Sequence, residues 1–419
     1  MIAPAPSYDP WAWLLWGREI AHGTLSTAEG PAFKPLPVAV TALLAPLGEA
    51  APVAWVIAAR TGAVLAVLLA FRLGRDLAGT AAGAVAGVAV AFTGDLIGYS
   101  AAGAEPGWTI ALALAGVEAW RAGRPRAALA CGVGCALLRV EAWPFLLAFG
   151  ILLWRRRPQD RALLAACAVA VPALWFVPEL LGSGDVLRSG SRARVPNPGQ
   201  PATEGVPALA ALREAAALVP WPLWAGVLAC LALPVARPVR ALLAAGAAWI
   251  ALVAVMAQAG FSGEPRYSLP GGALVAVAGA VGLVALVRRS RAAPRSWAPP
   301  ALAAALMLVA VAPKLADLGD LRRDQAYQRG LAADLRRAIA ASGGRDAVLA
   351  CGRPYVGDLR GPLLAYHLDV EKQRVQFDPR PPGTVFRSRI ASGAPVEPVV
   401  GAAFTARAQA GRWTVLTAC

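Results

Sequence analysis

Ten apolar runs separated by short connections limit what this 419-residue chain can fold into. They lie at about 52–71, 77–97, 106–120, 127–139, 143–154, 162–181, 217–235, 241–260, 268–287 and 298–316. A helix that crosses the hydrocarbon of a bilayer needs about 20 mainly apolar residues. A series of such runs predicts a mainly α, polytopic bundle of about ten membrane helices. Composition agrees, with 58% hydrophobic residues and a mean hydropathy of +0.55.

The connections alternate in charge. Short basic ones carry Arg72/Arg75, Arg121/Arg124/Arg126, Arg155/Arg156/Arg157/Arg161, Arg237/Arg240 and Arg288/Arg289/Arg291/Arg295. The others, 98–105, 182–216 and 261–267, are longer or less basic. The positive-inside rule puts the basic set in the cytoplasm of a plasma-membrane protein. The second set, the N-terminus and the tail then lie outside. The net charge of +15 is distributed as loop arginines, which argues against nucleic acid as a partner. Residues 127–154 are too few for two full spans and too many for one. They are expected to form a short hairpin turning at Arg139-Val-Glu-Ala-Trp-Pro144, with its charges facing protein or a water-filled cavity. With both ends outside, this count predicts a further span before Met1.

The chain divides at 316. Residues 1–316 form the transmembrane domain, of which 1–51 are an outer loop with interfacial helices. Residues 317–419 read as a small extracytoplasmic α/β domain. "LRRDQAYQRGLAADLRRAIAASGG" has helical spacing and ends in glycine, and "AVLAC", "PLLAYHLD", "RVQFD", "GTVFRSR" and "RWTVLTAC" read as short strands and one helix. In an oxidising compartment Cys351 and Cys419 could pair, with two free thiols equally compatible with the sequence. Cys131, Cys135, Cys167 and Cys230 read as small hydrophobes in helix packing. With only His22 and His367, no zinc spacing and no P-loop, no metal or cofactor is expected.

The opening stretch is both charged and apolar. Ser7-Tyr8-Asp9-Pro10-Trp11 suits a helix start, with Asp9 as N-cap and Pro10 at the first helical position. Trp13, Trp16 and Ile20 then share one side, which predicts a helix lying flat on the outer surface. Asp9 reads either as that cap alone or as a functional acid. Lys34, between prolines at the head of a short apolar run, could hold a lipid phosphate or simply snorkel. Three more charged groups stand at outer mouths. Glu105 is a second carboxylate or a helix N-terminal charge. Arg266 and Tyr267 could bind phosphate. Arg139 and Glu141 could neutralise each other.

An acid in the first outer loop, interfacial helices, Lys34-Pro35-Leu36-Pro37 and Arg266-Tyr267 before a late span together resemble the GT-C glycosyltransferases. The resemblance is to the protein O-mannosyltransferase and aminoarabinose-transferase group. It covers most of 1–316, and the tail matches in placement. Here Asp9 is followed by Pro10, where the mannosyltransferases carry paired Asp-Glu. The resemblance implies inverting transfer of a sugar from a polyprenyl-phosphate carrier to a glycan, lipid or protein hydroxyl at the outer membrane face. It implies Asp9 as base, Lys34 and Arg266 as the cations that neutralise the leaving phosphate, and no metal. The residues themselves add Glu105 as a second candidate catalytic acid and Tyr267 and Arg139 as further candidate phosphate ligands, with Glu141 and any Cys351–Cys419 bridge structural. A transporter or lipid flippase, or a membrane-anchored binding protein, are the competing classes. A transporter would place charges and broken helices near the midplane, often with internal repeats, none of which is evident.

Overall fold

A computed structural model describes residues 2–290 and 298–419. The chain runs α1 (Tyr8–His22), α2 (Pro35–Leu44), α3 (Ala51–Ala78), α4 (Thr80–Ala91), α5 (Leu96–Ala101), α6 (Pro106–Arg121), α7 (Pro125–Leu138), α8 (Trp143–Arg156) and α9 (Arg161–Ser183). It continues with α10 (Arg188–Ala193), α11 (Pro207–Leu218), α12 (Pro222–Ala232), α13 (Arg237–Gln258), α14 (Pro265–Ser290) and α15 (Ala298–Ala316). The tail holds α16 (Leu318–Ala341), α17 (Gly344–Ala350), β1 (Arg353–Val356), α18 (Gly361–Leu368), β2 (Gly383–Arg389), β3 (Val396–Glu397), β4 (Thr405–Ala410) and β5 (Trp413–Ala418).

Every expected apolar run is helical, but the lengths differ. Among the described residues, five helical stretches are long and apolar enough to cross a membrane: Pro35–Ala78, Pro158–Ser183, Arg237–Gln258, Pro265–Arg289 and Ala301–Ala341. The expected run 77–97 is cut. Gly79, at φ 88°, separates α3 from α4, and the chain turns again at Gly94, φ 52°. The Lys314 Nζ stabilises that turn by donating to the carbonyls of Phe92 (2.6 Å) and Gly94 (2.7 Å). The expected run 217–235 is broken too. α11 and α12 meet at 100° across Val219-Pro220-Trp221. Proline cannot supply the helical N–H, so Pro220 and Pro222 end one helix and start the next. Part of the expected loop 182–216 is therefore helix. Residues 127–154 do form a hairpin of two short helices, α7 and α8, turning at 139–142.

α14 is the central helix, packed by α3, α4, α6, α11, α12 and α13. It is apolar on all sides, as an enclosed helix must be. Small residues let its neighbours approach. A Cβ on Gly226 of α12 would stand 1.9 Å from the Gly279 carbonyl of α14. Without a hydrophobic driving force between helices in lipid, such close packing supplies much of the association energy. At the far end of α14, the Arg288 side chain bonds the Ala78 carbonyl (2.8 Å). Arg72 pairs with Glu118 (3.2 Å), and Arg126 and Arg157 share Asp160, so these turns gather at that end, with α1 and the tail at the other; Arg291 and Arg295 lie outside the described residues.

The tail sheet has the order β1-β2-β5-β4, with β1 and β2 parallel and the rest antiparallel, and β3 pairs β2. The stretch "AVLAC", read as a strand, lies mostly in helix α17, because Gly343 and Gly344 restart the chain helically after α16. β4 went unread, since "TARAQA" lacks the large apolar residues that mark a strand. Cys351 is bonded to Cys419, tying the chain end to the start of β1.

The tail docks on the opening loop. One apolar cluster joins Trp11, Trp13 and Trp16 of α1 to Leu363, Leu364, Trp413 and other tail residues. The helix therefore does not lie flat on the surface as expected: Pro10–Gly17 are all buried. Those residues span more than two turns, so every side of this part of the helix is covered and no polar face is left to rest on a bilayer. Arg18 adds an ion pair to Asp369 (3.1 Å) and a hydrogen bond to the Tyr366 carbonyl (2.8 Å).

Candidate active site

Ser7, not Asp9, is the N-cap of α1, and no side chain caps that helix. The reading of Asp9 as a cap is thereby overturned. The helix starts two residues earlier, at Tyr8, so Asp9 sits within its first turn. There its Oδ2 accepts a hydrogen bond from Arg266 Nη1 at 3.0 Å. Arg266, at the head of α14, also pairs with Glu264 through Nε (2.9 Å). No second protein partner holds Asp9 Oδ1 among the described residues.

Lys34 precedes Pro35, and a residue before proline is held extended. That conformation directs its side chain back into the protein, where it is only 8% exposed. Its Nζ lies 5.2 Å from the Trp13 ring centre and donates to Glu105 Oε1. Glu105, held before Pro106, is 1% exposed. Its Oε1 also accepts from Arg139 Nη1 (3.3 Å), while Oε2 has no hydrogen-bond partner among the described residues. Burial alone would raise the Glu105 pKa. The Lys34 and Arg139 charges outweigh burial and hold it at about 2.

Arg139 is extended between α7 and the 140–142 turn and is 7% exposed. It clasps Glu141 with Nη2 (2.6 Å) and Nε (3.1 Å) and stacks 3.8 Å from the Tyr267 ring centre. Arg266 also lies near that ring, at 5.4 Å. The charges at the hairpin turn face protein. Asp9, Arg266, Tyr267, Arg139, Glu141, Glu105 and Lys34 thus form one contiguous chain of contacts drawn from five segments of sequence. Cys351 and Cys419 lie apart in the tail.

A cavity of about 350 Å3 opens on this network, lined by Lys34, Arg139, Glu141 and Tyr267 on one side and Leu187, Ser189 and Gly190 on the other. A separate apolar groove of about 770 Å3 is lined by Ala142, the residue after Glu141, and by residues of α6, α7, α8, α13 and α14. The outer wall is pinned by residues that sequence reading missed. Buried Glu179 accepts from Thr27 (3.2 Å), from Ser189 and from Arg188 (3.4 Å), and Ser189 Oγ in turn accepts from the Phe33 N–H (2.7 Å). An acid inside the apolar run 162–181 was the available signal, since an ionisable group there needs a partner. Ser189 gives no such signal. Among the described residues, no three His, Cys, Asp or Glu side chains gather where they could hold a metal ion.

No family profile and no curated protein sequence matches the chain. Solved structures do. ArnT from Cupriavidus metallidurans, bound to undecaprenyl phosphate, aligns over 100% of this chain and 94% of its own, with a TM-score of 0.57 and 15% identity. The Archaeoglobus fulgidus oligosaccharyltransferase in its apo form aligns over 89% of this chain and 61% of its own (TM-score 0.51, 13% identity). The chain has the GT-C fold. The archaeal oligosaccharyltransferase AglB, in complex with an inhibitory peptide and a dolichol-phosphate, shares that GT-C fold over 87% of this chain and 60% of its own (TM-score 0.51, 15% identity). The GT-C fold is that of a multi-pass membrane protein, in accord with the apolar helices. In this GT-C chain the charged network and its cavity sit at the end of the bundle that the tail covers.

Proposed function

We propose that the chain is a membrane glycosyltransferase that moves a sugar from a polyprenyl-phosphate carrier to an acceptor hydroxyl. The observation that carries the reading is a cavity walled by two cations, Lys34 and Arg139, which Tyr267 joins to the Asp9–Arg266 pair, beside an apolar groove whose lining begins at Ala142. A carrier lipid has this division, with an anionic head and an apolar chain. The cavity suits the head and the groove suits the chain. The matched structures include one bound to undecaprenyl phosphate and one in complex with a dolichol-phosphate.

Asp9 takes the proton of the acceptor hydroxyl at Oδ1, while Arg266 holds Oδ2 and fixes the carboxylate. The hydroxyl oxygen bonds to the anomeric carbon as that carbon's bond to the carrier phosphate oxygen breaks. The electron pair stays on the phosphate, and one displacement inverts the sugar carbon. Lys34 and Arg139 face the growing phosphate charge from the cavity wall. Lys34 has three N–H donors and gives one to Glu105, so the others can reach the phosphate. Such placed donors are each worth about 10²–10³ in rate. Glu105, buried and ionised between two cations, is a poor proton acceptor and serves to position Lys34 and Arg139.

The positive-inside rule supports a cytoplasmic location for the arginine-rich end of the bundle and an outer location for the site. A cysteine at exposed Ser392 of the tail should therefore react with a membrane-impermeant maleimide on intact cells. Labelling only after lysis would reverse the orientation. The activity itself is tested by offering purified protein a panel of polyprenyl-phosphate sugars with mixed acceptors. Release of free carrier phosphate with a sugar product of inverted configuration supports the reading. No transfer from any carrier-linked sugar, alongside transport of the intact lipid, would replace it with a flippase.

A further inference from the structure

The tail holds a second cleft, of about 860 Å3, between β1, the turn at 372–374 and Glu29 of the opening loop. Arg353, Arg374, Tyr355, Gln373, Gln376 and Glu371 line it. The nearby acids are already engaged: Glu29 holds Lys372 (2.6 Å) and Gln376 (3.1 Å), and Glu371 accepts from Gln373. Exposed Arg353 and Arg374 have no carboxylate partner among the described residues. Two open guanidinium groups therefore face a polar cleft whose floor is the 5%-exposed Tyr355.

A guanidinium binds a carboxylate or phosphate through parallel hydrogen bonds. Amides and a phenol around it match the mixed donors and acceptors of sugar hydroxyls. A peptide has less to gain. β1 lies at the sheet edge, yet Val356 N–H already bonds the Gln376 carbonyl (3.0 Å) and the Gln376 N–H bonds the Pro354 carbonyl (3.1 Å). Strand addition by an extended peptide would need those same backbone groups. The cleft is also tied to the donor cavity. Glu29 lies on the segment that leads to Lys34, and its bonds to Lys372 and Gln376 fix the tail to that segment.

We infer that this cleft binds an acidic saccharide, one carrying carboxylate or phosphate groups, as the acceptor or the part of it that is recognised. Only the word acceptor rests on the proposed transferase reading. The binding requires neither donor nor Asp9, so it is measured separately from transfer.

The test is titration calorimetry on the purified full chain. Probes are a galacturonate trimer, glucose 6-phosphate, neutral galactotriose and triglutamate. Expected is salt-sensitive binding of an acidic sugar, with galactotriose and triglutamate weaker by about tenfold or more, as the loss of a charge-assisted hydrogen bond would give. The Arg353→Gln/Arg374→Gln variant should lose the same factor while its thermal unfolding stays unchanged, because both side chains are exposed. Neither acidic sugar binding, triglutamate binding as tightly, or an unaltered double variant would each overturn the inference.

Discussion

Replacing Asp9 by Asn removes one charge without changing shape. The carboxylate and Arg266 are 3.0 Å apart, with side chains 14% and 19% exposed. Stranding a buried charge costs about 3–5 kcal/mol. Arg266 is not stranded here, because Glu264 still pairs with it at 2.9 Å. The Asn carbonyl can also still accept from Nη1. The stability cost is therefore about 1 kcal/mol, near that of one hydrogen bond. The catalytic cost is larger. An amide takes no proton, and general-base help is worth about 10²–10⁴ in rate, or roughly 2.7–5.5 kcal/mol of barrier. Transfer should thus fall by about 10² or more while thermal unfolding scarcely moves. The assay is single-turnover sugar transfer in proteoliposomes, with carrier-phosphate binding measured in parallel. A variant within about tenfold of wild type would remove Asp9 as base. An unfolded variant would refute the argument that Glu264 compensates.

Other perturbations test the surrounding parts. Lys34→Ala leaves the 1%-exposed Glu105 with Arg139 alone, and should cost about 3 kcal/mol in stability and weaken carrier-phosphate binding. Adding Glu105→Ala should restore the stability but not the binding; recovery of both would make Lys34 purely structural. The Cys351→Ser/Cys419→Ser variant opens a link across 68 residues, and should cost the tail about 4 kcal/mol, seen as faster proteolysis after β2. Unchanged proteolysis would show that packing alone holds the chain end. Burial raises the Glu19 carboxyl to about 7, despite its bond from the Ser26 N–H. The folded state then binds the proton more tightly than the unfolded one. That stability is full below pH 4.5 and is lost as pH rises to 7, a fall on the order of 3 kcal/mol. Unfolding midpoints should drop over that window, and Glu19→Gln should flatten the curve; an equally steep drop in the variant would assign the dependence elsewhere.

Much of the site was legible as residue types and not as contacts. Lys34 stood out because lysine is rare in this chain, and Arg139 and Glu141 because charges interrupt an apolar stretch. The sequence could not say that Glu105 bridges Lys34 to Arg139, 71 and 34 residues away. It misled at Asp9. The Asp-Pro pair suits a cap, but the helix begins at Tyr8 and frees the carboxylate for Arg266, 257 residues on. It misled for α1 as well. Trp13 and Trp16 read as an interfacial anchor until the tail and opening loop are seen to cluster around them.

What the sequence determined by itself is local. Runs of apolar residues must be helical in lipid because no water is there to satisfy the backbone, and arginines between them mark one end of the bundle. Prolines at 220 and 222 and glycines at 79 and 94 cut those helices, but tertiary packing was needed to show where. Which charges meet was decided only in three dimensions. Lys34, Glu105, Arg139 and Glu141 are buried and Asp9 and Arg266 partly so, and a charge withdrawn from water needs a partner. Those partners come from α1, α2, the loop before α6, the α7–α8 turn and α14, whose approach no sequence spacing encodes.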